Sequence, residues 1–216
     1  MKRNPAWNWT QKKTFHLAGL VAGLALAAGL AGCRVHVDKG ANGEDKNVQV
    51  ETPFGGVHVN TDRTTAADLG LPVYPNARLD NGDDLHKSAD VHVGFGEWEM
   101  RVRAVSYSTP DKRDDVVAFY KKALGRYGDV ITCNVNKPVG APVVTSEGLS
   151  CEDGAHVKTN VTAGGYHSDR SGFSLKAGSK HHQHIVGFED PAAGETRFTL
   201  VALDLPTGMD DSGKSD

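Results

Sequence analysis

The stretch Thr109–Gly128, TPDKRDDVVAFYKKALGRYG, decides how the chain folds. Val116, Phe119, Tyr120, Ala123, Leu124 and Tyr127 recur at spacings of three and four. On a helix they form one apolar stripe, with charged residues on the other faces. Thr109 suits the N-cap, Pro110 the first helical position, and Asp111 the positive end of the helix dipole. Gly128 is the natural stop. The spacing predicts one main amphipathic helix over about residues 110–127.

Around this helix the pattern changes to the period of two that marks strands. Upstream, Val91, Val93 and Phe95 share a face, and Trp98, Met100, Val102 and Ala104 share a face of the return strand, so residues 91–104 read as a hairpin. Further upstream, Val48 and Val50 alternate before Pro53-Phe54-Gly55-Gly56, and Val57 and Val59 alternate after it. That predicts an N-terminal β-hairpin over 46–60. A short helical turn fits 65–69, and Leu71-Pro72-Val73-Tyr74-Pro75 leads into an extended segment. Downstream, strands are predicted near 130–135, 156–161, 173–177, 184–188 and 197–203. One good helix among many strands gives the expectation of an α+β domain, with the helix packed on an antiparallel sheet. The domain is expected over 48–206, and the N-terminal hairpin either joins it or stands apart. Residues 207–216 hold no apolar side chain except Met209 and are expected to be disordered.

The chain has 216 residues, 38% hydrophobic and 24% charged, which excludes a multi-span membrane protein and a wholly disordered one. Its 24 Lys and Arg face 27 Asp and Glu. Four of the basic residues (Lys2, Arg3, Lys12 and Lys13) lie in residues 1–32, which hold no acid. A chain beginning at Cys33 therefore sits near −7. That charge is a poor match for nucleic acid, and no nucleic-acid partner is expected.

Residues 1–32 read as an address. The basic segment ending at His16 is followed by Leu17–Gly32, an uncharged apolar run of 16 residues rich in Gly and Ala. It is short of the roughly 20 residues a membrane span needs, and its flanks fit a secretory signal better. It ends in Leu30-Ala31-Gly32-Cys33, which resembles the lipobox of bacterial lipoproteins. The resemblance implies that Cys33 carries diacylglycerol, that the chain is cut just before it, and that the new amino group is acylated. It implies a membrane partner through Cys33, with residues 33–47 as anchor and tether, of which 38–47 are polar and loop-like. Arg34 follows the Cys where an Asp often favours the inner membrane, so the outer membrane of a bacterial envelope is expected. With Cys33 lipidated, Cys133 and Cys151 remain in a compartment that permits disulfides. They read as a structural bridge; a buried pair of free thiols or a redox dithiol is the alternative.

Leu71-Pro72-Val73-Tyr74-Pro75-Asn76-Ala77, a strand ending in Tyr107, and Val117-x-Phe119-Tyr120-x-x-x-Leu124-x-x-x-Gly128 are similar to uncharacterised bacterial envelope proteins with a Tyr-Pro-Gly-Ala segment and a Phe-Tyr helix. Asn76 stands where Gly is usual. The resemblance spans roughly residues 66–135 and implies no functional residues. Phe119 and Tyr120 read as core, and Tyr74-Pro75 as a rigid entry to the sheet.

No catalytic constellation emerges. Gly208–Ser215 satisfies G-x-x-x-x-G-K-[ST], yet the chain given ends at Asp216 with no helix to follow, and Asp210 and Asp211 oppose a polyphosphate. G-x-S-x-G and H-E-x-x-H are absent, and the Asp80–Asp84 loop lacks the calcium-loop spacing. No cofactor is expected. The candidate metal ligands are His181, His182 and His184. On a strand His182 and His184 share a face, but two imidazoles are half a tetrahedral shell. A polar turn with exposed histidines is the reading preferred. The expectation is a lipid-anchored envelope protein acting by binding or structural contact. A hydrolase whose site forms only in three dimensions and a histidine-based metal binder are the alternatives.

Overall fold

A computed structural model describes residues 32–39, 45–80, 88–153, 172–189 and 194–207. The expected signal segment, the strand expected at 156–161 and the tail from residue 208 lie outside the described residues. The elements run β1 (Arg34–Lys39), β2 (Asp45–Thr52), β3 (Gly55–Thr61), β4 (Arg78–Leu79), β5 (Ser88–Phe95), β6 (Trp98–Thr109), α1 (Arg113–Leu124), β7 (Ile131–Asn134), β8 (Lys137–Pro138), β9 (Phe173–Gly178), β10 (His182–Phe188) and β11 (Thr196–Asp204). Short 3-10 turns cover Ala66–Leu69 and Gly125–Tyr127. The strands form one antiparallel sheet in the order β1-β2-β3-β5-β6-β11-β10-β9-β7-β8, with β4 on β6 beyond the end of β5.

The sheet has two hydrophobic faces, one for each half, and β6 carries the change between them. In the C-terminal half the registers align Val105, Leu200, Val186 and Leu175 in one row and Tyr107, Phe198, Phe188 and Phe173 in the next. These side chains point to one face, where Val116, Tyr120 and Leu124 of α1 close over them. In the N-terminal half the apolar rows lie on the opposite face. Val37, Val48, Val59, Val91 and Val102 form one row, and Val35, Val50, Val57, Val93 and Met100 the next. The reason is local to β6: its apolar positions are even up to Ala104 and odd from Val105 onward. Side chains alternate across a strand, so that step moves the apolar surface from one face to the other.

The helix starts later than the capping residues suggest. Thr109 is still the last residue of β6, paired with Thr196, so it cannot also enter a helix. The Thr109 hydroxyl accepts the Asp111 N–H, the Thr196 hydroxyl donates to the Asp111 carbonyl, and the Tyr74 hydroxyl donates to the Asp111 carboxylate at 3.0 Å. These bonds hold Pro110–Lys112 as a turn, and Lys112 takes the N-cap position. The helix then ends at Leu124, a 3-10 turn carries the chain to Tyr127, and Gly128 follows at φ 112°.

Both expected hairpins form, as β2–β3 and β5–β6. The N-terminal hairpin belongs to the main sheet, because β3 pairs with β5 along seven residues from Gly55 to Thr61. A second correction concerns the tether. Arg34–Lys39, expected within it, forms β1 against β2, with the valines at 35 and 37 continuing the apolar rows. Asn76, the residue that replaces a usual Gly, has φ 60° and follows Pro75 in a turn closed by the Ala77 N–H on the Tyr74 carbonyl. Asn is the side chain that tolerates this left-handed backbone best after Gly, which accounts for the exchange.

Candidate functional site

Cys33 is exposed and immediately precedes β1. Strands alternate in direction, so the start of β1, the Pro53-Phe54 turn and the Gly96-Glu97 turn lie at the same end of the sheet. Close approaches agree: a Cβ on Gly32 would meet the Pro53 ring at 2.7 Å, and one on Gly55 would collide with the Gly94 carbonyl oxygen. Only Gly at position 55 lets the two hairpins approach this closely. At this end Phe54 is 83% exposed and Phe95 49%, and the Phe95 ring sits 6.1 Å from that of Trp98. Among the described residues no helix is long and apolar enough to cross a membrane.

The Cys133 and Cys151 sulfurs are bonded, with both residues buried beside Ile131 and Leu149. They sit on the face of β7 opposite α1, where residues 139–153 fold back over the sheet. Lys176 lies in the same place. Its ammonium donates to the carbonyls of Cys151 at 3.0 Å and Asp153 at 2.8 Å, and burial pushes its pKa below the ordinary lysine value. The charge is held by backbone dipoles and by the nearby Asp153, which acts against the burial. This cluster ties the end of the loop to β9.

The histidines separate instead of converging. His182 is exposed and its Nδ1 lies 3.0 Å from the Asp204 carboxylate, which also takes a hydrogen bond from Arg103. His181 is half-buried, with its carbonyl accepting the Leu205 N–H. His184 departs from the expected exposure: its ring stacks on Tyr127, centroids 3.6 Å apart and planes at 10°. The Tyr127 hydroxyl in turn donates to the Gly70 carbonyl at 2.6 Å. Tyr127 belongs to the helix stripe by its spacing, but nothing in the local sequence places it over His184, 57 residues away. Among the described residues no group of three or more His, Cys, Asp or Glu is arranged to hold a metal ion.

A pH dependence follows from this stack. Burial pushes the His184 imidazole below its ordinary value of 6.5, with Arg103 and Arg126 acting in the same direction, against Asp204 and a backbone hydrogen bond at Leu69. The folded state thus favours the neutral ring, and the unfolded chain takes up the proton first as pH falls. This contribution is complete above the unfolded value and is lost as pH drops toward the lower folded one. His184→Gln is expected to flatten the fall of the urea midpoint between about pH 7 and 5. A variant that keeps the full slope would show that the titration lies elsewhere.

The face of the N-terminal half opposite the valine rows is polar and carries cross-strand charge pairs. Arg101 forms a two-pronged bond with Asp90 at 2.9 and 2.5 Å, His92 meets Glu99 at 2.8 Å, and Arg103 reaches Asp204 at 3.1 Å. Such cross-strand pairs stabilise a sheet surface and hold each other's groups in place. The exposed aromatic turns beside Cys33 were missed by the sequence reading, which took Phe54 only as part of a turn. Their signal was an aromatic residue inside one hairpin connection and a pair of aromatic residues flanking the other. No protein-family model, curated protein or solved structure matches this chain.

Proposed function

We propose that this is a lipid-anchored protein of the bacterial envelope, acting through binding or structural contact and not through catalysis. The observation that carries the proposal is Leu30-Ala31-Gly32-Cys33 at the end of an uncharged apolar run, with Cys33 exposed just ahead of the sheet. An acyl chain on that thiol would leave the domain without disturbing a buried group. Each buried methylene contributes roughly 0.8 kcal/mol to membrane attachment, and stable anchoring takes two or more chains. The cross-strand charge pairs of the polar face support the non-catalytic part, since Arg101 and Asp90 already bind each other in two-pronged fashion. In fold terms the domain is an α+β unit whose single helix covers only the C-terminal half of the sheet. The outer membrane is the favoured location, on the strength of Arg34.

Anchoring is tested by Cys33→Ala. Wild type is expected to take up a fatty-acid label and partition into detergent, and the variant to remain an unlabelled precursor. An unlabelled wild type, or a variant labelled as strongly, would refute the lipoprotein reading.

A further inference from the structure

The end of the sheet beside Cys33 is built differently from its surroundings. β6 extends three residues, Trp98–Met100, past the last residue of β11 that pairs with it, Asp204 opposite Arg101. β5, β3 and β2 extend with it, so the tip overhangs by about 10 Å of strand. On this overhang sit Phe54 in one turn, Phe95 and Trp98 flanking the other, and Val35 at 66% exposure in β1. Exposed apolar groups gathered in one place mark a contact surface.

The position of the chain upstream selects the occupant. Gly32 lies so close to the tip that a Cβ on it would meet the Pro53 ring, and the apolar stretch Leu17–Gly32 ends there. Whether that stretch is retained or replaced by lipid on Cys33, the bilayer lies at this end. The charges agree with an uncharged lipid surface. Arg34 is the exposed base at the tip, against exposed Glu51, Glu97 and Glu99, so anionic headgroups would be repelled more than attracted. Aromatic side chains favour the boundary between headgroups and acyl chains.

We infer that Phe54, Phe95 and Trp98 form a membrane-docking tip, inserted into the leaflet that holds the anchor, with the sheet standing away from the surface. This rests on the reading of the N-terminal stretch as membrane-directing and adds a second attachment that fixes the domain's orientation. The lipid on Cys33 would hold the domain to the bilayer, and insertion of the tip would act together with it.

The test uses the full chain with Trp7→Phe and Trp9→Phe, which leaves Trp98 as its one tryptophan. The protein is purified from bacterial membranes in detergent. It is then reconstituted into phosphatidylcholine and phosphatidylethanolamine vesicles brominated at a shallow or a deep acyl carbon. Trp98 emission is expected to be quenched, more by shallow than by deep bromine. Phe54→Asp with Phe95→Asp is expected to abolish the quenching at an unchanged circular dichroism spectrum. Vesicle-bound protein with unquenched Trp98 overturns the inference, as does quenching that survives the double substitution. Emission shifted to the blue but insensitive to bromine, and reversed by diluting the protein in lipid, would mean that a second copy covers the tip, and also overturns it. Acyl labelling in the same preparation separates the two readings. A labelled protein with unquenched Trp98 refutes the tip alone, and an unlabelled protein with quenched Trp98 supports the tip and refutes the anchor.

Discussion

Phe198→Ala is expected to cost about 3–5 kcal/mol of folding stability, the largest effect of any single substitution considered for this protein. The Phe198 ring is fully buried at the centre of the helix-covered face, 5.4 Å from the ring of Tyr120, 5.9 Å from Tyr107, 6.3 Å from Phe188 and 6.5 Å from Tyr74. These partners come from α1, β6, β10 and the segment before β4, so no single movement can close the cavity. Small domains have roughly 5–15 kcal/mol in all, which puts the variant near the edge of folding. Tyr120→Phe provides the contrast. It keeps the ring and removes a hydroxyl that donates to the Pro72 carbonyl at 3.1 Å and accepts the Tyr74 N–H at 3.2 Å. Leaving those partners unsatisfied costs about 1–3 kcal/mol. Urea unfolding of both variants checks the order. A Phe198→Ala loss smaller than that of Tyr120→Phe would mean that the aromatic cluster is not the centre of the core.

Replacing Cys133 and Cys151 together by Ala is expected to cost about 3 kcal/mol, the loop-closure entropy for cysteines of this spacing. They are 18 residues apart and both buried, so the bridge restrains the unfolded chain and seals the second, smaller core. The loss has a local side as well. Without the bridge, the segment carrying the Cys151 and Asp153 carbonyls can lift from Lys176, whose ammonium would then exchange those acceptors for water. Hydrogen exchange should therefore rise first around residues 145–153 and 174–178, before the helix-covered core opens. Alkylation of the folded, oxidised wild type gives the direct check: two reactive thiols at these positions would eliminate the bridge and the predicted cost together.

Most elements were legible because their signals are local. The i, i+3, i+4 spacing from Val116 to Tyr127 specifies a helix face regardless of what covers it, and the observed buried residues Val116, Tyr120 and Leu124 lie on that stripe. Alternating valines around Gly55-Gly56, and around Gly96-Glu97, specify hairpins for the same reason. The helix start was misplaced because Thr109 satisfies two local rules at once. It is a good N-cap and a good strand residue, and pairing with Thr196, far along the chain, settles the choice. The site was less legible. That Cys133 and Cys151 could pair followed from their number and spacing, whereas the exposed tip needed two turns, 41 residues apart between Phe54 and Phe95, brought side by side.

By itself the sequence determined the helix face, the two hairpins, the strands from β9 to β11, and the apolar run ending at Cys33. Each depends on contacts within a few residues, where the periods of strand and helix leave a readable trace. Tertiary structure alone decided that β11 and not β7 lies beside β6, that Arg34–Lys39 joins the sheet as β1, and that His184 is taken by Tyr127 instead of by its histidine neighbours. It also decided what the parity change at Ala104-Val105 means, because two faces of a strand become different only when a helix covers one of them. Those outcomes depend on pairing energies summed over strands separated by tens of residues, and such sums leave no mark on any short stretch of the chain.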